Sequence, residues 1–311
     1  MCCIVGYVTC SEKYDSSAKS DYHWQIFRCR QLIFSESEII ASPSNGKDGA
    51  IYIVMTDDFY RTGKVQLLLE KLHITSRSPE PVSNVIYEAC VRYTLVARIS
   101  PLWNQVDCYL IQGRDFLLST SALNAIKLEV ITRDGDMFMS VWPLRIRLPQ
   151  LQKENMDMVN NCGEQCVSVL PRYCLCQSFF MIKILCLILK KVRVRALSPH
   201  IPDSCPFKTY KELKRHWKNM YGYRLPEKPE KLFFCSLSFH SLSPILYTYP
   251  SLCVRQHDLV FLRHMDHNTV LQTFLKNLAI KLPTLCGYPF GVESRIVYAV
   301  PKLCHWSEVC L

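Results

Sequence analysis

Lys208, Lys211, Lys214, Arg215 and Lys218 stand three and four residues apart around Tyr210, Leu213, Trp217 and Tyr221. At 3.6 residues per turn the apolar set falls on one side of a helix and the cations on the others. Ammonium and guanidinium groups held out in this way can meet phosphate oxygens or carboxylates. Trp217, Tyr221 or Tyr223 could stack on bases. The plainer alternative makes the rings core anchors and the cations a solvated face. A single apolar stripe favours anchors for the rings and leaves the cations as the binding candidates.

Two further groups could do chemistry. Asp57-Asp58 closes an apolar strand, where paired carboxylates can hold a divalent ion or simply start a helix. Gly113-Arg114-Asp115 follows another apolar strand, at a position where turns often face ligands. If Asp57, Asp58, Arg114 and Asp115 converged, they would form a dispersed enzyme site; no catalytic residue is assigned from spacing alone. Gly63-Lys64 is followed by Val65 and lacks the rest of a phosphate loop, and no Gly-x-Ser-x-Gly elbow occurs. Cys162, Cys166, Cys174 and Cys176 miss the paired spacing of structural zinc sites; Cys253, His257, His264 and His267 are closer in composition, but the first two fall in a strand and the others at a helix start. No metal ligand is assigned and no cofactor is expected.

Elements must position these residues. Gln25 to Ile40 starts as a helix, followed by a turn cluster at Ser42 to Gly46. Ala50 to Thr56 reads as a buried strand and Lys64 to Leu72 as a helix. Ser83 caps a second helix with Ile86, Ala89, Cys90, Tyr93 and Ala97 inward. Val106 to Gln112, Ala125 to Thr132 and Met137 to Leu148 read as strands, with Asp134-Gly135 as a hairpin turn. Pro143 confines its part of the third to an edge or bulge. Thr209 and Glu212 form a capping box before the basic helix, and Gly222 stops it. Lys231 to His240, Ile245 to Tyr249 and Cys253 to Leu262 read as strands. Asp266 or Asn268 opens a last helix that Pro283 ends.

The chain has 311 residues, 49% hydrophobic and 21% charged, which suits a folded protein and excludes a disordered one. Its net charge of +10 is unevenly placed. Residues 1–150 carry 16 Lys+Arg and 16 Asp+Glu, so the excess lies wholly beyond them. Seventeen cysteines without a secretory signal indicate reduced thiols and an intracellular protein, nuclear or cytoplasmic and not secreted. Cys174 to Leu189 is apolar but shorter than the roughly 20 residues of a membrane span, and Lys183 interrupts it. A membrane partner is therefore not expected.

Several strings occur together: Cys29-Arg-Gln-Leu-Ile-Phe34, Ile111-Gln-Gly-Arg-Asp-Phe-Leu117, Cys205-Pro-Phe207, His216-Trp217, Tyr221-Gly222-Tyr-Arg-Leu-Pro226 and Lys281 to Pro289. The set resembles the uncharacterised chromosome 18 open reading frame 63 protein family, a domain of unknown function (4708). The resemblance implies that Cys205, Phe207, Trp217, Tyr221, Gly222 and Pro226 belong to a structural motif, and it implies no activity. Met1 to Tyr22 departs from the family pattern. So does the longer spacing between Pro171 and Cys205, whose excess reads as an insertion, from a splice variant or gene-model error, over residues 174–189.

The expected fold is α+β, with antiparallel strands and packed helices in two closely associated subdomains. The expected boundaries are 1–22, a divergent or disordered N-terminus; 23–150, an N-terminal subdomain; 151–200, a connector; 201–290, a C-terminal subdomain; and 291–311, a tail. The expected function is a non-enzymatic interaction module whose partner, an acidic protein or nucleic acid, meets the basic helix. The alternatives are the dispersed enzyme site and a single membrane span at 174–189.

Overall fold

Ile51, Ile53, Val54 and Met55 are buried in a strand that organises the first of three antiparallel sheets. The computed structural model describes residues 3–9, 21–44, 50–133, 136–151, 166–169, 192–230, 232–238, 246–255 and 259–292. Expectations placed on Asp134-Gly135, on 174–189 and on Cys162, Cys174, Cys176 and His257 lie outside the described residues. Among the described residues the fold is α+β, with six α-helices packed on antiparallel strands.

The first sheet runs β2 (Ile40–Pro43), β3 (Ile51–Thr56), β1 (Cys3–Thr9) and β4 (Thr75–Ser76), with β5 (Glu80–Pro81) also pairing with β1. Residues 1–22, expected to be divergent or disordered, thus contribute a strand flanked on both sides. Ser42 and Pro43 belong to β2 rather than to a turn. Helix α1 (Asp21–Ser35) covers this sheet through Cys29, Leu32 and Ile33. Thr56 starts the short helix α2 (Asp57–Arg61), and α3 (Lys64–Lys71) adds Val65 and Leu69 to the same core.

Ser83 caps α4 (Asn84–Ile99) by accepting from the Ile86 N–H. The buried side of α4 is wider than one stripe: Val91, Thr94, Leu95 and Ile99 join Ala89, Cys90 and Ala97. That breadth follows from its position, since α4 contacts α1, β2 and β3 as well as the second sheet.

The second sheet runs β15 (Val260–Leu262), β9 (Asp136–Arg147), β8 (Leu123–Arg133), β7 (Tyr109–Gln112) and β6 (Trp103–Val106). The expected single strand over 106–112 is instead a tight hairpin. Asp107 adopts a left-handed φ of 59°, a conformation Asp tolerates better than most residues, so no Gly announces the turn. Alternation along β8 sends Ile126, Leu128 and Val130 towards α4 and α6 (His267–Lys281), while Ala125 faces a different core. In the former core Phe274 of α6 meets Trp103 edge-to-face at 5.3 Å.

The third sheet runs β13 (Tyr247–Pro250), β12 (Phe234–Ser238), β11 (Val192–Ser198), β10 (Cys166–Val169) and β14 (Val254–Arg255). Residues 253–262, expected as one strand, therefore divide between two sheets, because β14 pairs with β10 and β15 pairs with β9. The third sheet and α5 (Tyr210–Tyr221) close the core that Val106, Ile111, Ala125 and Ile146 begin.

Candidate functional site

Helix α5 is specified at both ends. The Thr209 hydroxyl accepts from the Glu212 N–H at 3.3 Å, and the Glu212 carboxylate accepts from the Lys208 N–H at 3.0 Å. Each contact satisfies an amide that a helix start leaves free. At the other end Gly222, at φ 73°, donates its N–H to the Lys218 carbonyl at 2.9 Å. A Cβ on Gly222 would stand 2.2 Å from the Ser100 hydroxyl, so glycine is required there for space as well as for φ.

The inner side of α5 is Leu213, Trp217 and Met220, all buried. Trp217 lies 4.9 Å from the Tyr221 ring and 5.2 Å from Tyr249, ring centre to ring centre. Tyr223, 1% exposed, meets Phe116 at 5.1 Å. Burial pushes the hydroxyls of Tyr223 and Tyr249 well above the usual tyrosine range. Trp217 and Tyr223 are thus enclosed and offer no stacking platform. Among the other family-motif residues, Cys205 is buried, Phe207 lies 4.7 Å from the His216 ring, and the Pro226 carbonyl accepts from the Tyr210 hydroxyl at 2.8 Å.

Lys211, Lys214, Arg215 and Lys218 occupy an arc of about 100° opposite the buried stripe. Lys208, Lys211, Arg215 and Lys218 are exposed and make no side-chain ion pair among the described residues. Lys214 differs: its ammonium is paired with the Glu227 carboxylate. The hydrogen bond from Lys214, and then its charge, hold the Glu227 carboxyl below the usual range. The five cations read from the sequence therefore become four unpaired ones and one neutralised. Glu227 stands thirteen residues from its partner, so helical spacing gave no sign of it.

The other candidates follow strands of different sheets, Asp57-Asp58 after β3 and Arg114-Asp115 after β7. Asp57 and Asp58 form the first turn of α2, where Asp57 bonds Arg61 at 2.5 Å in the manner of an ordinary helix ion pair. Arg114 and Asp115 are exposed on the turn after β7, and the Asp115 carbonyl opens the 3-10 turn at Phe116–Leu118. That turn is fixed by buried Asn104, which donates to the Pro101 and Gly113 carbonyls at 3.0 and 2.8 Å. No hydrogen bond or ion pair among the described residues joins the two acidic groups. Among the described residues, no group of three or more His, Cys, Asp or Glu could hold a metal ion. Cys253 is buried, while His264 and His267 are exposed.

One cation escaped the sequence reading. Arg255, 2% exposed, donates to the Leu117 carbonyl at 3.4 Å, and its Nε and Nη1 have no partner among the described residues. Burial lowers its pKa, and nearby Cys253 and Tyr223 oppose that. An arginine beside an apolar run ordinarily points outward, so its type carried no signal.

The family described as Domain of unknown function (DUF4708) matches residues 2–263. Among solved structures, that of the Argonaute protein from Methanocaldcoccus janaschii aligns at 12% identity with a TM-score of 0.33. The alignment covers 92% of this chain and 37% of that one, and a likeness this slight bears on neither fold nor activity. Among the described residues no helix is long and apolar enough to cross a membrane.

Proposed function

We propose, for a chain that belongs to the DUF4708 family of unknown function, a non-enzymatic interaction module that binds polyanions through α5. The carrying observation is the exposed set Lys208, Lys211, Arg215 and Lys218, unpaired among the described residues, on and just before a helix locked by its buried rings. Because Trp217 and Tyr223 are enclosed and the half-buried Tyr221 packs on Trp217, His216 and Tyr223, recognition proceeds by charge and not by base stacking. The partner is an acidic protein segment or a nucleic-acid backbone. The placement of Asp57-Asp58 after a strand of the first sheet and of Arg114-Asp115 after one of the second suits a module without catalysis. Cys29, Cys90, Cys108, Cys205, Cys235, Cys253 and Cys286 form no disulfide, and all but Cys108 are buried, which suits a reducing intracellular compartment, nuclear or cytoplasmic.

Reversal of Lys208, Lys211, Arg215 and Lys218 to Glu tests the proposal. Fluorescence anisotropy with a labelled single-stranded oligonucleotide and with labelled polyglutamate reads the binding, and circular dichroism reads the fold. The expected result is an intact fold and at least tenfold weaker binding of one or both probes. Equal binding by wild type and variant at low salt contradicts it.

A further inference from the structure

Among the described residues, the outer edge of β9 is unpaired over most of its length. On its inner side β8 pairs with it from Asp136 to Ile146, but on its outer side β15 reaches only Arg145, Ile146 and Arg147. Residues 136–144 therefore present a free row of backbone donors and acceptors among the described residues. Such a row templates another strand. Pro143 lies in this stretch and has no N–H to give, as edges tolerate.

The side chains beside this edge are apolar and uncovered. Phe138 is 52% exposed and Trp142 44%, and they share one face of the strand. Lys127 of β8 caps the Trp142 ring at 5.2 Å and is itself paired with Glu129 at 2.8 Å, so the face carries little net charge. Phe261 of β15, 50% exposed, and Tyr109 of β7 meet at 5.5 Å and extend the aromatic surface. A nearly neutral aromatic face is a poor match for nucleic acid.

We infer that this edge pairs with the same edge of a second copy of the chain, antiparallel about Ser140. The stretch Met137-Phe-Met-Ser140-Val-Trp-Pro143 is nearly symmetric in residue type about its centre. In that register Phe138 lies opposite Trp142 of the second copy and Trp142 opposite its Phe138, two aromatic cross-strand pairs. Asp136 falls opposite Leu144, next to Arg145, so each end brings an acid close to a base. The contact is self-complementary, as a two-fold interface must be. It joins two five-stranded sheets into one and removes a liable edge from each.

Sedimentation velocity of the full chain across micromolar concentrations tests the association, with Phe138→Lys/Trp142→Lys as the opposing variant and circular dichroism reading its fold. The expected result is a wild-type dimer and a folded, monomeric variant. Ser140→Cys tests the register, because directly opposed strand residues stand about 4.5–5.5 Å apart, within disulfide reach. Mild oxidation should yield a 140–140 linked peptide by mass spectrometry, against the wild type as the control for native thiols. A monomeric wild type, a variant that stays dimeric, or the lack of a 140–140 link overturns the inference.

Discussion

The buried Tyr223 hydroxyl donates to the Gln105 carbonyl, 118 residues away, and so ties the segment after α5 to β6. This bond holds the C-terminus of the basic helix against the second sheet. Replacing Tyr223 with Phe keeps the ring packing on Phe116 and strands the carbonyl. The expected cost is about 1–2 kcal/mol in urea unfolding with an unchanged slope. No loss of stability would mean that the bond does not secure the helix.

Gly222→Ala is expected to destabilise the fold by more than the roughly 1 kcal/mol that the left-handed conformation alone costs. The added carbon meets the Ser100 hydroxyl, which itself donates to the Gly222 carbonyl at 3.3 Å. Combining it with Ser100→Ala should recover the steric part and leave the conformational part. Denaturant midpoints of the two variants separate these contributions.

Thr209→Ala removes the side-chain acceptor at the start of α5. The expected loss is about 1 kcal/mol of stability, with fraying confined to the first turn. Amide exchange should speed up at Glu212 while Trp217 stays protected.

Glu227 restrains the basic face. Its carboxyl is held low by Lys214, so the pair's stabilisation is complete above the ordinary carboxylate range. It is lost as pH falls through the lowered folded value. Glu227→Gln should flatten the acid side of the stability profile and release Lys214 as a fifth free cation. Binding of the single-stranded oligonucleotide then strengthens, and its salt slope steepens by up to about 0.7. An unchanged slope would show that Lys214 does not reach the ligand.

The sequence made the outline of α5 legible because its signals are local: a Thr209–Glu212 cap, a stripe three to four residues apart and a stop at Gly222. The same holds for α6, capped by Asp266 through the Thr269 N–H at 3.1 Å. Other features depend on distant partners. The Asp107 turn lacks a glycine, and the run from Cys253 to Leu262 is continuous in composition yet serves two sheets. The Lys214–Glu227 pair and the burial of Arg255 are likewise tertiary facts. For the candidate site, residue types showed the cations, and only packing showed which of them stay unpaired.

The most direct test of polyanion binding is the salt dependence of the affinity for a labelled single-stranded oligonucleotide, with labelled polyglutamate run in parallel. Four exposed cations on and just before α5 predict a slope of log K against log salt of about −3 for the oligonucleotide, falling towards zero on reversal of Lys208, Lys211, Arg215 and Lys218. A slope that is the same in the wild type and the reversed variant for both probes would contradict the account.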